Sequence, residues 1–511
     1  MKYDEKVSEP LTPHGGKSFG GATGSAGRQA ETAKKVRTRF APSPTGYQHV
    51  GGIRTALFDW LLARQNKGKF VLRFEDTDKK REVAGADKHL IKTLRELGLE
   101  YDEGPDIGGP FAPYRQSERL KSYQEWGQKL IQMSRAYADP YTPDEVQTFR
   151  EQAKAGKVPF LFRNHRPKNP PQWEPGRPLR FKSEPKAYKW KDEVMGQMHA
   201  GPEAIDDFIL IKSDGYPTYN FAHIVDDAEM EISHIIRGQE FLASVPNYLN
   251  LYETLGLKPP ILATVPHILG PDGNKKLSKR DGAKDVLDYI RDGFLPDALI
   301  NFIASLGWND GTEQEVFSRA DLIKKFRLGD VGHSGAKFDE KRLLWLNGHY
   351  IRQQSPESLF EISENFWPKS AAGAKEAYKK SVLGLVQERL KFLAELPELT
   401  SFFFSEPGIK TVRSLFNEPV DKQLQKIEAS EYPGLLQATL TELKASDFSE
   451  EDIGRRLNGL LESLPSKPGI LFAAVRIAVT GSQSSPQLFG TLQVLGKQKV
   501  LARIKQAIEA L

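Results

Sequence analysis

The sequence predicts a mixed α/β fold with a parallel sheet, interrupted by one insertion and followed by an all-helical final third. Three observations predict it. Strand, helix and strand succeed one another within about forty residues of residue 36, the grammar of a parallel α/β sheet. The composition breaks sharply between residues 127 and 217. Beyond about residue 350, apolar residues recur at the helical period.

Residues 36–41 read as a short strand that runs into the loop Pro42-Ser43-Pro44-Thr45-Gly46. A helix starts near His49, with Ile53, Ala56, Leu57, Trp60 and Leu61 at helical spacing, and stops near Gly68. Residues 70–74 form a second apolar strand leading into Glu75-Asp76-Thr77-Asp78. The 127–217 segment is rich in proline, and bases such as Arg163, Arg166, Arg177, Arg180, Lys182, Lys189 and Lys191 are interleaved with Phe160, Phe162, Trp173, Phe181, Tyr188 and Trp190. That pattern fits an irregular solvated insertion, and equally a nucleic-acid surface with bases for phosphates and aromatics for stacking. Strand and helix return near Tyr219 and at 235–237. In the last third, Val382, Leu385, Val386, Leu390, Phe392 and Leu393 form one apolar stripe, and Ile453, Leu457, Leu460, Leu461 and Leu464 another.

A chain of 511 residues is too long for one core, so several domains are expected. The net charge of +5 permits a nucleic-acid partner without demonstrating one. With no cysteine in the sequence, disulfides and thiolate metal sites are excluded, and a reducing, cytoplasmic setting is the default expectation. No apolar run approaches membrane-spanning length. Residues 1–35, glycine-rich and mixed in charge, read as a flexible extension with no catalytic role.

Two motifs carry chemistry. His49-Val50-Gly51-Gly52 opens a helix directly after a strand and a Pro/Gly loop. Free N–H groups and partial positive charge at such a terminus suit phosphate, and the glycines allow close approach. Alone, a histidine there is most simply a helix cap. Lys276-Leu277-Ser278-Lys279-Arg280 lies in a glycine-flanked hydrophilic loop able to close over a triphosphate. Alone, it is most simply a solvated basic loop.

As an ordered pair, the two motifs resemble the signatures of class I aminoacyl-tRNA synthetases. Arg37-Thr38-Arg39-Phe40-Ala41-Pro42-Ser43-Pro44-Thr45-Gly46, Arg73-Phe74-Glu75-Asp76-Thr77-Asp78, Tyr114-Arg115-Gln116-Ser117-Glu118-Arg119, Gly215-Tyr216-Pro217-Thr218-Tyr219 and Ile236-Arg237-Gly238 narrow the resemblance to bacterial-type glutamyl-tRNA synthetases, from about residue 36 onward. The resemblance implies a Rossmann-type catalytic domain in two halves (36–126 and 218–275) around an acceptor-end-binding insertion (127–217). It further implies a stem-contact domain (276–355) and a helical anticodon-binding region (356–511). The substrates implied are L-glutamate, ATP with Mg²⁺, and tRNA(Glu), with tRNA(Gln) as the alternative second acceptor; a monomer is expected.

Residue by residue, the resemblance places Arg39 and Arg237 on substrate carboxylates, Glu75 on the substrate ammonium, and Ala41, Ser43, Tyr219 and His223 in the amino-acid pocket. His49, Gly51, Gly52, Lys276, Ser278 and Lys279 fall on ATP, with His49, Lys276 and Lys279 in the catalytic role. Three positions depart from relatives: Gly52 ends the first signature in place of histidine, His223 stands where some carry asparagine, and Phe241 replaces a tryptophan. Some relatives bind zinc through cysteines in the insertion; Asp139 and Tyr141 are no substitute, so no metal site is expected. A glutaminyl enzyme would carry C-terminal barrels, a truncated base-modifying relative would lack the last region, and an inactive paralogue should have lost His49, Glu75 or Lys279.

Overall fold

The computed structural model describes residues 35–277, 284–419, 424–463 and 467–511. Strand β1 (Arg37–Phe40) leads through the Pro/Gly loop into helix α1 (Val50–Gln65), and β2 (Lys69–Leu72) then pairs parallel to β1, Arg37 opposite Lys69 and Phe40 opposite Leu72. Eleven of the sixteen residues of α1 are buried. The sheet covers one side of it and the helix Pro296–Ala304 packs on it from another direction, which is why apolar residues surround nearly its whole circumference. Helices α2 (Ala86–Glu96) and α3 (Leu120–Gln132) follow, then β3 (Ala136–Ala138), α4 (Pro143–Ala155), β4 (Leu179–Phe181), β5 (Tyr188–Asp192), β6 (Gly196–Ala200) and β7 (Ile209–Ile211). Helix α5 (Tyr219–Glu229), β8 (His234–Gly238), α6 (Val245–Thr254) and β9 (Ile261–Val265) return the chain to the parallel sheet.

Strands β8 and β9 pair in parallel from His234/Ile261 to Gly238/Val265. The two parallel pairs meet at Arg37, whose amide donates to Ser233 Oγ (2.8 Å) while the Ser233 amide donates to the Arg37 carbonyl (3.0 Å). The carboxyl ends of β1, β2 and β8 therefore open on one side, where open α/β sheets bind ligands.

The 127–217 segment is folded more tightly than a solvated insertion would be. β3, β4 and β7 form an antiparallel sheet. β5 and β6 form a hairpin, Tyr188 opposite Ala200, that joins the main sheet where Asp192 pairs with Leu262. The alternation Tyr188-Lys189-Trp190-Lys191 is thus the period-two signature of a half-buried strand, with the lysines outward. Most of the arginines expected to face phosphate are engaged inside the protein. Arg180 pairs with Asp139 (2.6 Å) and lies over the Phe162 ring (3.4 Å), Arg166 pairs with Asp207 (2.6 Å), and Arg163 donates to the carbonyls of Pro202 and Ile205. Phe162 and Phe181 are core residues and Trp173 donates to the Arg177 carbonyl, whereas Lys182, Lys189 and Lys191 stay exposed.

Beyond Lys337 the described residues contain helices and no strand. The first apolar stripe is not one helix, although Val386, Leu390 and Leu393 are all buried. The helix Glu376–Val386 stops because backbone groups beyond it find partners elsewhere. The Lys391 carbonyl accepts from Asn347 Nδ2 (2.6 Å), and the amides of Leu393 and Ala394 donate to the carbonyls of Gly293 (3.2 Å) and Asp292 (3.1 Å). The second stripe lies on the helix Glu450–Ser463, with Leu464 outside the described residues.

Asp192 is the joint between hairpin and sheet. Its fully buried carboxylate accepts from the amides of Val194 (3.0 Å), Met195 (2.9 Å) and Thr264 (2.9 Å) and from Thr264 Oγ1 (2.6 Å). Asp192→Ala is expected to leave these donors unsatisfied and lower stability by about 3 kcal/mol; chemical denaturation would check this, and an unchanged midpoint would refute it.

Candidate active site

A cavity of about 1000 Å³ opens at the carboxyl ends of β1, β2 and β8. Of the residues singled out in the sequence, Arg39, Ala41, Ser43, His49, Gly51, Gly52, Glu75, Tyr219, Arg237 and Lys276 all line it. Ser278 and Lys279 lie outside the described residues. His223 does not reach the wall. It lies one turn along α5 behind Tyr219, fully buried, with Nδ1 2.7 Å from the Tyr219 carbonyl and its ring stacked 4.8 Å from the Tyr219 ring. Burial pushes the imidazole down to about 3, so it stays neutral. Phe241 stacks on the other side of Tyr219 at 4.9 Å and does line the cavity.

One end of the cavity is built on buried charge. Arg39, from β1, donates through Nε to Asp227 (3.2 Å). Arg73, just beyond β2, donates to Asp227 (2.8 Å) and to Glu75 (3.0 Å), with Nε 3.6 Å from Asp226. Asp226 also accepts from Arg119 (2.7 Å), Gln116 (2.8 Å) and Tyr123 (2.9 Å). The acids come from adjacent positions near the end of α5, the bases from the sheet and the start of α3. Burial opposes ionisation of Asp227, but Arg39 and Arg73 together hold its carboxyl below the usual range. Glu75 is less compensated: burial lifts its carboxyl to about 7 against the pull of Arg73 and Arg39. Asp59, in the middle of α1, is fully buried with neither carboxyl oxygen hydrogen-bonded, and burial drives it well above the ordinary value, so it is held neutral. At the level of sequence, Arg73 stands out only within the 73–78 word, and Asp59, Asp226 and Asp227 are not singled out. The available signal was a charge inside an apolar run, such as Phe58-Asp59-Trp60 or Val225-Asp226-Asp227.

Arg237 contrasts with Arg39. It is 5% exposed, lies over the rings of Tyr248 (5.0 Å) and Phe241 (5.9 Å), and its Nε and Nη1 have no hydrogen-bond partner. A buried guanidinium on a cavity wall with unused donors is suited to grip an anionic ligand. Arg39, Glu75, Tyr219 and Arg237 all line this one cavity.

At the other end, His49 caps α1, its Nδ1 accepting from the Gly51 amide (3.0 Å), which places the neutral ring's proton on Nε2. The Gly52 amide donates to the His49 carbonyl (3.0 Å). Both amides expected to cradle phosphate are therefore engaged within the cap. What the glycines provide is space: a Cβ on Gly52 would stand 2.1 Å from Gln48 Oε1, and one on Gly51 2.8 Å from His49 Cε1. Lys276 is half exposed, 3.5 Å from Glu240.

A parallel sheet whose carboxyl ends hold this cavity, with the capped helix and Lys276 on its wall, is consistent with a class I aminoacyl-tRNA synthetase. Residues 35–345 match the family model for the catalytic domain of class I tRNA synthetases (E and Q), and 356–508 match an anticodon binding domain; the chain belongs to this family. It is 41% identical over 485 residues to a glutamate–tRNA ligase of Dehalococcoides mccartyi, covering 93% of this chain and 98% of that one. A glutamate–tRNA ligase of Chlorobium chlorochromatii is 40% identical over 505 residues, covering 94% and 99%. The crystal structure of a glutamate tRNA ligase from Elizabethkingia meningosepticum, in complex with its amino acid, superposes with a TM-score of 0.81 at 32% identity, covering 93% of this chain and 99% of that one.

Asp227 holds two buried arginines at once. Asp227→Ala is expected to destabilise the protein by about 3–5 kcal/mol by leaving both guanidinium groups under-compensated. A thermal melt would test this, and a melting point within a degree of the parent's would show that the cluster does not need it.

Proposed function

We propose that this chain joins L-glutamate to the 3′-terminal adenosine of tRNA(Glu) in two steps. In the first, the α-carboxylate of glutamate attacks the α-phosphorus of ATP, forming glutamyl-adenylate and releasing pyrophosphate. In the second, a ribose hydroxyl of the terminal adenosine attacks the activated carbonyl, giving the ester and AMP. The observation that carries the glutamate assignment is the presence of two buried arginines and one buried acid on the wall of a single cavity, beside Tyr219. Glutamate has two carboxylates and one ammonium, and Arg39, Arg237 and Glu75 are complementary to that set. Ala41, Ser43 and Tyr219 complete the pocket. His223, too deep for contact, fixes the Tyr219 ring from behind.

The attacking group belongs to the substrate, so the protein's work is positioning and charge stabilisation. His49 offers its Nε2 proton to phosphate, Gly51 and Gly52 keep the approach open, and Lys276 with Ser278 and Lys279 close over the triphosphate. Mg²⁺ arrives with ATP, held by phosphate and water; among the described residues no group of three or more His, Asp or Glu is placed to bind a metal. The reading extends to a monomer working in the cytoplasm; no described helix is long and apolar enough to cross a membrane.

The test is aminoacylation with labelled glutamate, ATP and separate tRNA(Glu) and tRNA(Gln) transcripts. Charging of tRNA(Glu) is expected. Charging of both would identify a non-discriminating enzyme, and charging of neither by folded protein would overturn the reading. In the same assay Arg39→Ala should raise the glutamate KM by about tenfold or more while moving the ATP KM less than about twofold; equal changes in both would remove Arg39 from the amino-acid pocket.

A further inference from the structure

Arg54 lies one turn into α1, below the His49 cap, 3% exposed and on the wall of the cavity. Its Nη1 donates to the carbonyl of Leu306 (2.9 Å) and its Nη2 to the carbonyl of Pro266, while Nε is buried without a partner. Among the described residues no carboxylate lies within 4.0 Å of it, although the neighbouring buried arginines Arg39, Arg73 and Arg119 each have one. This difference in partner type matters. A carboxylate would satisfy the donors and cancel the charge, whereas carbonyl dipoles satisfy donors and leave the full positive charge in place.

Burial of a cation without a counterion is unfavourable, and here it pulls the guanidinium down to about 10, with the exposed Glu240 as the acid acting in the other direction. At neutral pH Arg54 remains charged. The groups around this end of the cavity do not neutralise it. Glu240 is shared with Lys276 (3.5 Å), and His267, 3.8 Å from Glu240, is depressed by its own burial and by Lys276 and Arg54, which keeps it uncharged. The two carbonyls come from segments 212 and 252 residues further along the chain. Their grip fixes the charge rigidly beside the cap.

We propose that Arg54 is a fixed cation for the polyphosphate of ATP, acting through its field from the cavity wall, and that its missing counterion is the nucleotide's phosphate chain. The inference rests on the reading of this cavity as an ATP site. It differs from the roles given to His49 and Lys276 in that Arg54 needs no movement and no direct contact. Its contribution grows with the number of phosphate charges on the ligand and is nearly absent for an uncharged nucleoside.

The experiment uses the full-length enzyme with tRNA and glutamate. It measures the ATP KM and the competitive inhibition constants of pyrophosphate and adenosine for wild type, Arg54→Gln and Arg54→Lys. Wild-type charging in the same assay checks the underlying reading independently. Arg54→Gln is expected to weaken ATP and pyrophosphate by about tenfold or more and to change the adenosine constant and the glutamate KM by less than about twofold. Arg54→Lys keeps the charge but cannot hold both carbonyls in the same fork. It should restore most of the phosphate affinity even if the melting temperature drops. Parallel losses for ATP and adenosine, or no rescue by lysine, would reduce Arg54 to a structural tie and overturn the proposal. If Arg54→Gln does not fold, the lysine variant alone decides: phosphate affinity near wild type supports the proposal, and equal weakening of ATP and adenosine refutes it.

Discussion

The active cavity depends on Asp227. This one carboxylate, near the end of α5 and fully buried, accepts from Arg39 of β1 and from Arg73 beyond β2, tying the β1–β2 pair to α5 under the site. Buried ion pairs add little net stability, because desolvation offsets their attraction, but they are unforgiving of displacement. Here that trait is useful: the position of Arg39 is set by a partner that cannot move without unpairing two charges. Arg73 in turn reaches Glu75, so the acid of the pocket is aligned by the same lattice.

Four buried carboxyls, Asp59, Glu75, Asp226 and Asp227, face three guanidinium groups in this lattice, and the imbalance is resolved by protonation. Asp59 is held neutral, and Glu75 is poised near neutrality. A pocket acid in that state is strongly responsive to a new cation, and the ammonium of an amino acid is such a cation. The cavity's other end has the opposite arrangement. Arg54 has hydrogen bonds without a counter-charge, leaving positive potential where phosphate is read to lie. The two ends thus differ in how their buried cations are met, by carboxylates at one end and by carbonyl dipoles at the other.

Much of this was legible in the sequence. β1, α1 and β2 were readable because their apolar residues are numerous and periodic, and Arg39, Glu75, Tyr219 and Arg237 because they sit in distinctive words, three at or just beyond strand ends and Tyr219 at the start of α5. The three-residue strands β3, β4 and β7 are too short to carry an alternating pattern. In β5 the alternation was present, but its lysines and aromatics resembled a nucleic-acid surface more than a strand edge. The stripe through Leu390 and Leu393 has helical spacing, yet Asn347 and the Asp292–Gly293 backbone draw that segment out of the helix, a long-range effect no local pattern reports. Nothing local marks the adjacent acids Asp226 and Asp227 as buried; the arginines that enclose them come from distant parts of the chain.

The most direct test of the poised acid is calorimetry of glutamate binding near pH 7 in buffers of differing ionisation enthalpy, for wild type and Glu75→Gln. Burial pushes the Glu75 carboxyl up to about 7. The incoming ammonium should lower that value, so binding should release a fraction of a proton near pH 7 and none near pH 9, where the carboxyl is already ionised. Glu75→Gln should abolish the release. Binding without proton exchange at pH 7, or equal exchange in the variant, would contradict the account of a substrate pocket held half-ionised by burial.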